Sequence, residues 1–132
     1  MGTTGPPLDR VGRALAGVNA LLALGAFGAG ALALGDVPDD HLVVESWRAT
    51  GFLVFAGLWA VLAAHPRRTP ALWELVLVHK VALTAVALTV AHTGEGIGAA
   101  LVDGWLAVST AVAYAACRGW RAWRPAGVAT AL

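Results

Sequence analysis

Ionisable side chains interrupt long apolar stretches of this sequence, where such groups are expensive. Lys80 is near the middle of the stretch 71–90, and Asp103 is within the stretch 97–117. Glu45 and Arg48 are three residues apart in the stretch 41–64, a spacing that places both on one helix face. A charged side chain at the centre of a membrane helix costs about 2.5–3.5 kcal/mol on insertion scales. Each of these groups therefore needs a partner of opposite charge or a polar cavity.

Helical geometry predicts that these four residues gather in the outer half of one bundle. Asp103 is about two turns below the outer surface, and Lys80 is about as far again below Asp103 at ~1.5 Å per residue. The lysine stem covers part of that gap, so we expect a contact between Lys80 and Asp103. Two interpretations stay open. The cluster is either a closed network that fixes helix register, or an outward cavity in which Lys80 or Asp103 changes protonation or holds an anionic head group.

Other polar residues on the same helices extend this candidate network. Asn19 is expected to hydrogen-bond across the bundle, and His79 to be a neutral histidine in an apolar setting with one hydrogen bond. Glu74 is expected to meet Arg67, Arg68 or water. The complete candidate set is Glu45, Arg48, Lys80, Asp103, Asn19, His79, Thr84, Thr110 and Tyr114.

The elements that must position these residues are membrane helices. The 132 residues are 58% hydrophobic and 13% charged, against about 25% charged in soluble domains. Stretches near the ~20-residue spanning length predict an all-α, four-transmembrane-helix bundle with helices at about 11–34, 41–64, 71–91 and 97–117. Residues 1–10 are predicted to be a disordered cytoplasmic segment and 118–132 a basic cytoplasmic tail, with disorder also expected after Arg124. Small residues from Gly12 to Gly30 form a strip along helix 1 that permits close helix packing.

Charge placement predicts the orientation. The first and third connections hold Asp36, Asp39, Asp40 and Glu95 and no Lys or Arg. The arginines lie before helix 1, between helices 2 and 3, and after helix 4: Arg10, Arg13, Arg67, Arg68, Arg118, Arg121 and Arg124. The positive-inside rule puts the N and C termini in the cytoplasm of a bacterium, with the chain in the inner membrane and Trp73, Trp120 and Trp123 near the inner interface. A cleaved signal peptide ending near Ala31-Leu32-Ala33 is the alternative for helix 1.

Several chemistries find no support in the residues. The single Cys117 allows no disulfide within the chain, and only His79 lies at midplane depth, whereas a haem clamp needs two such histidines. No zinc-protease, nucleophile-elbow or phosphate-loop motif occurs. A metal site from His41, His92, Asp39 and Asp40 has unspecific spacing, so no metal or other cofactor is predicted. A net charge of +1 gives no indication of nucleic-acid binding.

The segment Glu45-Ser46-Trp47-Arg48-Ala49-Thr50-Gly51, followed by helix 2, a short basic turn and helix 3, resembles the DoxX-like group of small four-helix bacterial membrane proteins in its layout. The resemblance covers about half of the chain. It implies the fold, and no catalytic residue carries over from it.

The predicted function is binding of a lipid-like ligand or a membrane protein partner through the outer polar cluster. The predicted partners are the lipid bilayer, a second copy of the chain or another membrane protein. Two alternatives are a proton-coupled small transporter or channel, and a membrane enzyme on a hydrophobic substrate. In the enzyme, Asp103 or Glu45 is the acid or base and Lys80 or Arg48 the electrostatic stabiliser.

Overall fold

Four α-helices in an up-and-down arrangement form the computed structural model, which describes residues 6–125. They are α1 (Pro7–Ala33), α2 (Asp39–Ala64), α3 (Leu72–Thr89) and α4 (Gly94–Cys117), with short 3-10 helices at Leu34–Asp36 and Gly119–Trp123. No strand occurs in this part of the chain. Residues 7–10, within the segment 1–10 that was predicted to be disordered, belong to α1. The disorder predicted for residues 1–5 and 126–132 lies outside the described residues.

All four helices are long and apolar enough to span a membrane. Their exposed surfaces carry large hydrophobic side chains, as lipid-facing surfaces do; Leu32 and Val43 are examples. The predicted all-α four-helix transmembrane bundle is thereby confirmed, and the chain is a multi-pass membrane protein. The cytoplasmic location of the termini stays a prediction.

Local signals in the sequence set the helix ends. Pro7 occupies the first turn of α1, where its missing N–H is harmless, so the helix begins four residues before the predicted start. The hydroxyl of Thr93 accepts a hydrogen bond from the Gly96 N–H at 2.9 Å and caps α4. Arg118 ends α4 in a left-handed conformation with φ of 54°.

The two ends of the bundle differ in charge. The end formed by the start of α1, the connection 65–71 and residues 118–124 carries the seven bundle-end arginines and is called the arginine end. The end formed by the connections after α1 and α3 carries Asp36, Asp39, Asp40 and Glu95 and is called the acidic end. The positive-inside rule predicts that the arginine end faces the cytoplasm.

Helix α1 is the central element of the packing. It packs closely against α2 and α4, α3 packs mainly against α4, and α2 and α3 touch little. The predicted small-residue strip lies at these interfaces. A Cβ atom added at Gly12 would lie 2.5 Å from Cys117 Sγ and 2.9 Å from the Ala113 carbonyl oxygen.

Packing is uneven along the bundle axis. The largest fully buried side chains include Trp59, Leu62, Trp73 and Val76, which lie in the half nearer the arginine end. The hydrophobic residues buried near the acidic end are alanines, such as Ala49 and Ala100. Small side chains fill less space between helices, so room for a cavity remains in the acidic half.

Candidate functional site

Lys80 on α3 and Asp103 on α4 form an ion pair inside the bundle. Lys80 Nζ is 2.9 Å from Asp103 Oδ1, and the two side chains are 4% and 16% exposed. Each residue is nine positions from the end of its helix at the short connection 90–93, about 14 Å along the axis. The expected contact therefore exists, but the predicted difference in depth does not. The reason is that α3 ends two residues earlier and α4 begins three residues earlier than the sequence indicated.

Two aromatic rings of α2 complete the surroundings of the Lys80 ammonium. Nζ is 4.3 Å from the centre of the Phe55 ring and 5.6 Å from that of Trp59. Cation–π contacts of this kind stabilise a desolvated ammonium by up to about 2 kcal/mol. Lys80 thus connects α3 to both α2 and α4. By helical spacing Phe55 and Trp59 share a face of α2 with Arg48, but their rings contact Lys80.

His79 and Thr84 are neighbours of the pair along α3. His79 stacks on Phe55, with ring centroids 4.4 Å apart, and makes no hydrogen bond within the described chain, in contrast to the single bond expected. The Thr84 hydroxyl donates to the Lys80 carbonyl oxygen at 2.7 Å, a bond within its own helix. Neither side chain therefore holds the Lys80–Asp103 pair.

A cavity of about 360 Å³ lies beside Lys80. All four helices contribute to its walls, and Lys80 is the charged residue among its lining residues. The rest of the lining is apolar or aromatic: Leu22, Ala23, Ala26, Phe52, Phe55, Trp59, Leu101, Val102, Trp105 and Leu106. Its volume is within the range of about 300–1,000 Å³ typical of ligand pockets.

Glu45 and Arg48 form a separate group nearer the acidic end. The Arg48 guanidinium lies 3.3 Å from Glu45 and 3.2 Å from Glu95 at the start of α4, and its side chain is 50% exposed. No ion pair joins this group to Lys80 or Asp103 in the described structure. The predicted cluster of four charges is thus divided into two pairs, because the long Arg48 side chain extends to the water-facing rim.

Asn19 lies in a fully buried network between α1, α2 and α4, as its expected cross-bundle bond requires. Its side-chain amide donates to Ser109 at 2.8 Å and is 3.5 Å from the Thr110 hydroxyl oxygen. Trp59 Nε1 donates to the same Thr110 oxygen at 3.0 Å. The sequence interpretation missed Ser109 and Trp59. Adjacent hydroxyls on an otherwise apolar helix were the signal for Ser109, whereas a tryptophan N–H gives no sequence signal of its partner.

Tyr114 and Glu74 meet near the arginine end. The Tyr114 hydroxyl donates to Glu74 Oε1 at 2.8 Å, and Trp123 Nε1 donates to the same oxygen at 3.1 Å. Tyr114 and Trp123 thus take the place of the expected Arg67 or Arg68 as partners of Glu74, because the 3-10 helix after α4 folds back over α3. Trp73, predicted at the membrane interface, is fully buried and donates to the Pro66 carbonyl oxygen at 2.8 Å.

The sequence did not predict a further polar network at the arginine end. Asp9 is buried and binds both Arg13 and Arg67, and Arg67 also donates to the Cys117 carbonyl oxygen at 2.9 Å. Arg13 donates to the carbonyl oxygens of Ala63 and Ala64 at the end of α2. We call Asp9, Arg13 and Arg67 the arginine clasp. It joins α1, the ends of α2 and α4, and the connection 65–71.

These networks define what the bundle can do chemically. Within residues 6–125, no group of three or more His, Cys, Asp or Glu side chains is placed to hold a metal ion. The Lys80 ammonium, paired with Asp103, is the charged group among the residues that line the cavity between the four helices. Comparisons with protein-family models, with curated proteins and with solved structures gave no match to this chain.

Proposed function

We propose that this membrane protein binds an amphiphilic molecule with a long apolar body in the cavity beside Lys80. The observation that carries the proposal is the combination of an apolar cavity of about 360 Å³ with one ammonium group on its wall. Apolar lining with few polar groups is the usual character of small-molecule sites. The proposal retains the lipid-like ligand predicted from the sequence and narrows its site from the four-residue outer polar cluster to the cavity beside Lys80.

The hydrogen bonds and charge balance of Lys80 indicate which polar group the ligand carries. An ammonium has three N–H donors, and the structure shows one hydrogen bond from Nζ, to Asp103. Since Asp103 already balances the charge, the cavity favours a neutral acceptor over a second carboxylate. A ligand with an acyl chain and an ester or ketone oxygen near one end matches this arrangement.

The two alternative functions require more than this cavity supplies. A membrane enzyme needs an acid or base and an electrostatic stabiliser on the same pocket wall, and Lys80 is the one member of the four charged candidates among the lining residues. A proton-coupled transporter would use the Lys80–Asp103 pair as its titrating group, and the Lys80 ammonium of that pair is covered on one side by the Phe55 and Trp59 rings. Binding therefore receives the strongest support.

Fluorescence quenching by brominated ligands tests the proposal. Replacing Trp47, Trp105, Trp120 and Trp123 by Phe leaves Trp59 and Trp73, both fully buried. Trp59 lines the cavity, so a brominated monoacylglycerol that enters the cavity should quench its fluorescence in detergent micelles. We expect saturable quenching as the mole fraction of the brominated ligand rises.

Matched variants on α1 distinguish the cavity from the lipid-facing surface. Ala26→Phe fills the cavity from its wall, whereas Ala31→Phe adds the same ring at an exposed position outside the lining. The first variant should lose the saturable quenching and the second should retain it. Equal quenching in both variants, or a purely linear response in the parent protein, would contradict the proposal.

A further inference from the structure

A second cavity lies at the arginine end, on the opposite side of the packed core from Lys80. Its volume is about 220 Å³, and it lies between the start of α1 and the end of α4. Basic side chains and small apolar side chains share its lining: Pro6, Leu8, Asp9, Arg67, Ala115, Ala116, Arg118 and Arg121. This surface is independent of the cavity beside Lys80, with which it shares no lining residue.

The chain after α4 positions two of these arginines. Residues 119–123 form a 3-10 helix, and Arg118 is the left-handed residue directly before it. Arg118 and Arg121 are three apart, and the Arg121 N–H donates to the Arg118 carbonyl oxygen at 3.0 Å. Trp120 and Trp123 occupy other positions, against Tyr114 and Glu74 respectively. The aromatic side chains of this turn therefore pack against α3 and α4, and its arginine side chains line the cavity.

Close packing holds this turn in place. A Cβ atom added at Gly119 would lie 2.3 Å from a Tyr114 ring carbon and 2.7 Å from a Trp73 ring carbon. The backbone at Gly119 is thus pressed against two aromatic rings. Arg118 and Arg121 are presented from a packed segment of the structure.

The charges of this cavity are unbalanced. Asp9, the acidic residue of the lining, already accepts hydrogen bonds from Arg13 and Arg67. Arg118 and Arg121 make no side-chain hydrogen bond or salt bridge with any residue of the described range 6–125. Three guanidinium groups of the lining thus accompany one carboxylate, and the side-chain donors of Arg118 and Arg121 have no partner within residues 6–125. Arginine binds phosphate oxygens in bidentate fashion, and basic pockets between transmembrane helices favour lipid head groups.

We infer that this cavity binds the phosphate of an anionic phospholipid, with Arg118 and Arg121 as its ligands. Apolar groups beside the arginines account for the lipid as the source of the phosphate. Ala115 and Ala116 of α4 and the exposed Leu8 of α1 offer a surface for the acyl chains next to the charged group. Trp120 and Trp123, 45% and 60% exposed at the same end, are typical of the membrane–water interface.

Lipid-dependent stability of the full chain tests this inference. In neutral detergent, added phosphatidylglycerol should raise the Tm more than added phosphatidylcholine does. The test variant carries Arg118→Asn and Arg121→Gln, because asparagine tolerates the left-handed conformation at position 118. The control carries Arg10→Gln and Arg124→Asn, which remove the same charge at the same end outside the lining.

The two variants should differ clearly. Each of Arg118 and Arg121 should lose a direct hydrogen-bonded contact with the phosphate, so the test variant should bind phosphatidylglycerol about thirtyfold more weakly. The control arginines lie outside the lining and act on the phosphate only through solvent-screened charge, so the control should change less than about threefold. Arg121→Gln alone, which leaves the helix cap intact, should lose about fivefold. Circular dichroism and the lipid-free Tm check that the variants fold.

Three results would overturn the inference. Equal weakening in the test and control variants would mean that total charge attracts the lipid without a site. A phosphatidylcholine effect as large as that of phosphatidylglycerol would remove the role of anionic charge. Inorganic phosphate that gives the full stabilisation without lipid would assign the cavity to a free anion.

Discussion

Removing one member of the Lys80–Asp103 pair should destabilise the bundle far more than removing both. Lys80→Met keeps an unbranched side chain of similar length but leaves the Asp103 carboxylate in the interior without its partner. Asp103→Leu leaves the ammonium, which retains the Phe55 and Trp59 rings. The double substitution removes both charges and places apolar side chains between α3 and α4.

The burial of the pair sets the expected magnitudes. The two side chains are 4% and 16% exposed, and breaking a buried ion pair costs about 3–5 kcal/mol. We expect about 3 kcal/mol for Lys80→Met, and about 2 kcal/mol for Asp103→Leu because cation–π contacts persist. The double variant should be within about 1 kcal/mol of the parent, since apolar replacements of buried pairs are often neutral.

Reversible unfolding in mixed micelles with increasing SDS measures these free energies. The rim pair supplies the control: Glu45→Gln and Arg48→Met should each change the free energy of unfolding by less than about 1 kcal/mol, since Arg48 is half exposed. A double variant that loses as much stability as the two single variants together would refute the reasoning. So would single variants as mild as those at the rim.

Three further predictions concern packing, the buried hydroxyl and orientation. Gly12→Ala should lower the free energy of unfolding by about 1–3 kcal/mol, because the added Cβ clashes with α4. Gly17→Ala is the control: its added Cβ meets nothing within 4 Å, so the free energy of unfolding should stay unchanged or rise by up to about 1 kcal/mol. The same SDS titration checks both variants. Thr110→Val should lower the free energy of unfolding by about 1–3 kcal/mol, because it removes the acceptor of the fully buried Trp59 indole N–H. SDS titration measures this loss, and an unchanged unfolding midpoint would contradict the prediction. If the arginine end is cytoplasmic, a membrane-impermeant maleimide added outside whole cells should label Asp40→Cys and spare Arg124→Cys, and the reverse pattern would show the opposite orientation.

The sequence predicted the helices well because apolar length and charge placement are local properties. All four membrane helices, their approximate ends and the small-residue strip of α1 followed from spacing alone. The helix ends were less accurate, and Lys80 shows the consequence. At the connection 90–93, the predicted end of α3 was two residues too late and the predicted start of α4 was three residues too late. These errors gave Lys80 and Asp103 different predicted depths, whereas in the structure their depths are equal.

The partners of side chains were predicted less completely, because they depend on how helices face one another. Asp9 and Arg67 are 58 positions apart, and residues at membrane helix ends are ordinarily exposed to water. Nothing in their local sequence indicates that Asp9 is buried. In the same way, Trp59 and Phe55 follow Arg48 along one face of α2, yet they surround Lys80. Rotation of a helix about its axis and the reach of a long side chain decide such contacts.

The uneven packing of the bundle explains why Lys80 borders a cavity. Bulky residues such as Trp59 and Leu62 close the half nearer the arginine end, while alanines leave space in the acidic half. Lys80 lies at the boundary between these halves. One side of its ammonium is held by Asp103 and the aromatic rings, and its remaining donors border the apolar space. A structural role and a binding role for this lysine are therefore compatible.

The double variant Lys80→Met with Asp103→Leu separates these two roles, because it is expected to fold without either charge. In the quenching assay, a brominated monoacylglycerol should bind this variant about 10- to 150-fold more weakly, as expected from loss of a hydrogen bond to a charged donor worth about 1.5–3 kcal/mol. A brominated alkane of equal chain length has no acceptor oxygen and should bind the parent and the variant equally. If the monoacylglycerol also binds both proteins equally, Lys80 serves the fold alone, and the cavity selects its ligand by apolar shape. If only the monoacylglycerol loses affinity, the ammonium recognises the polar group of the ligand as well as stabilising the bundle.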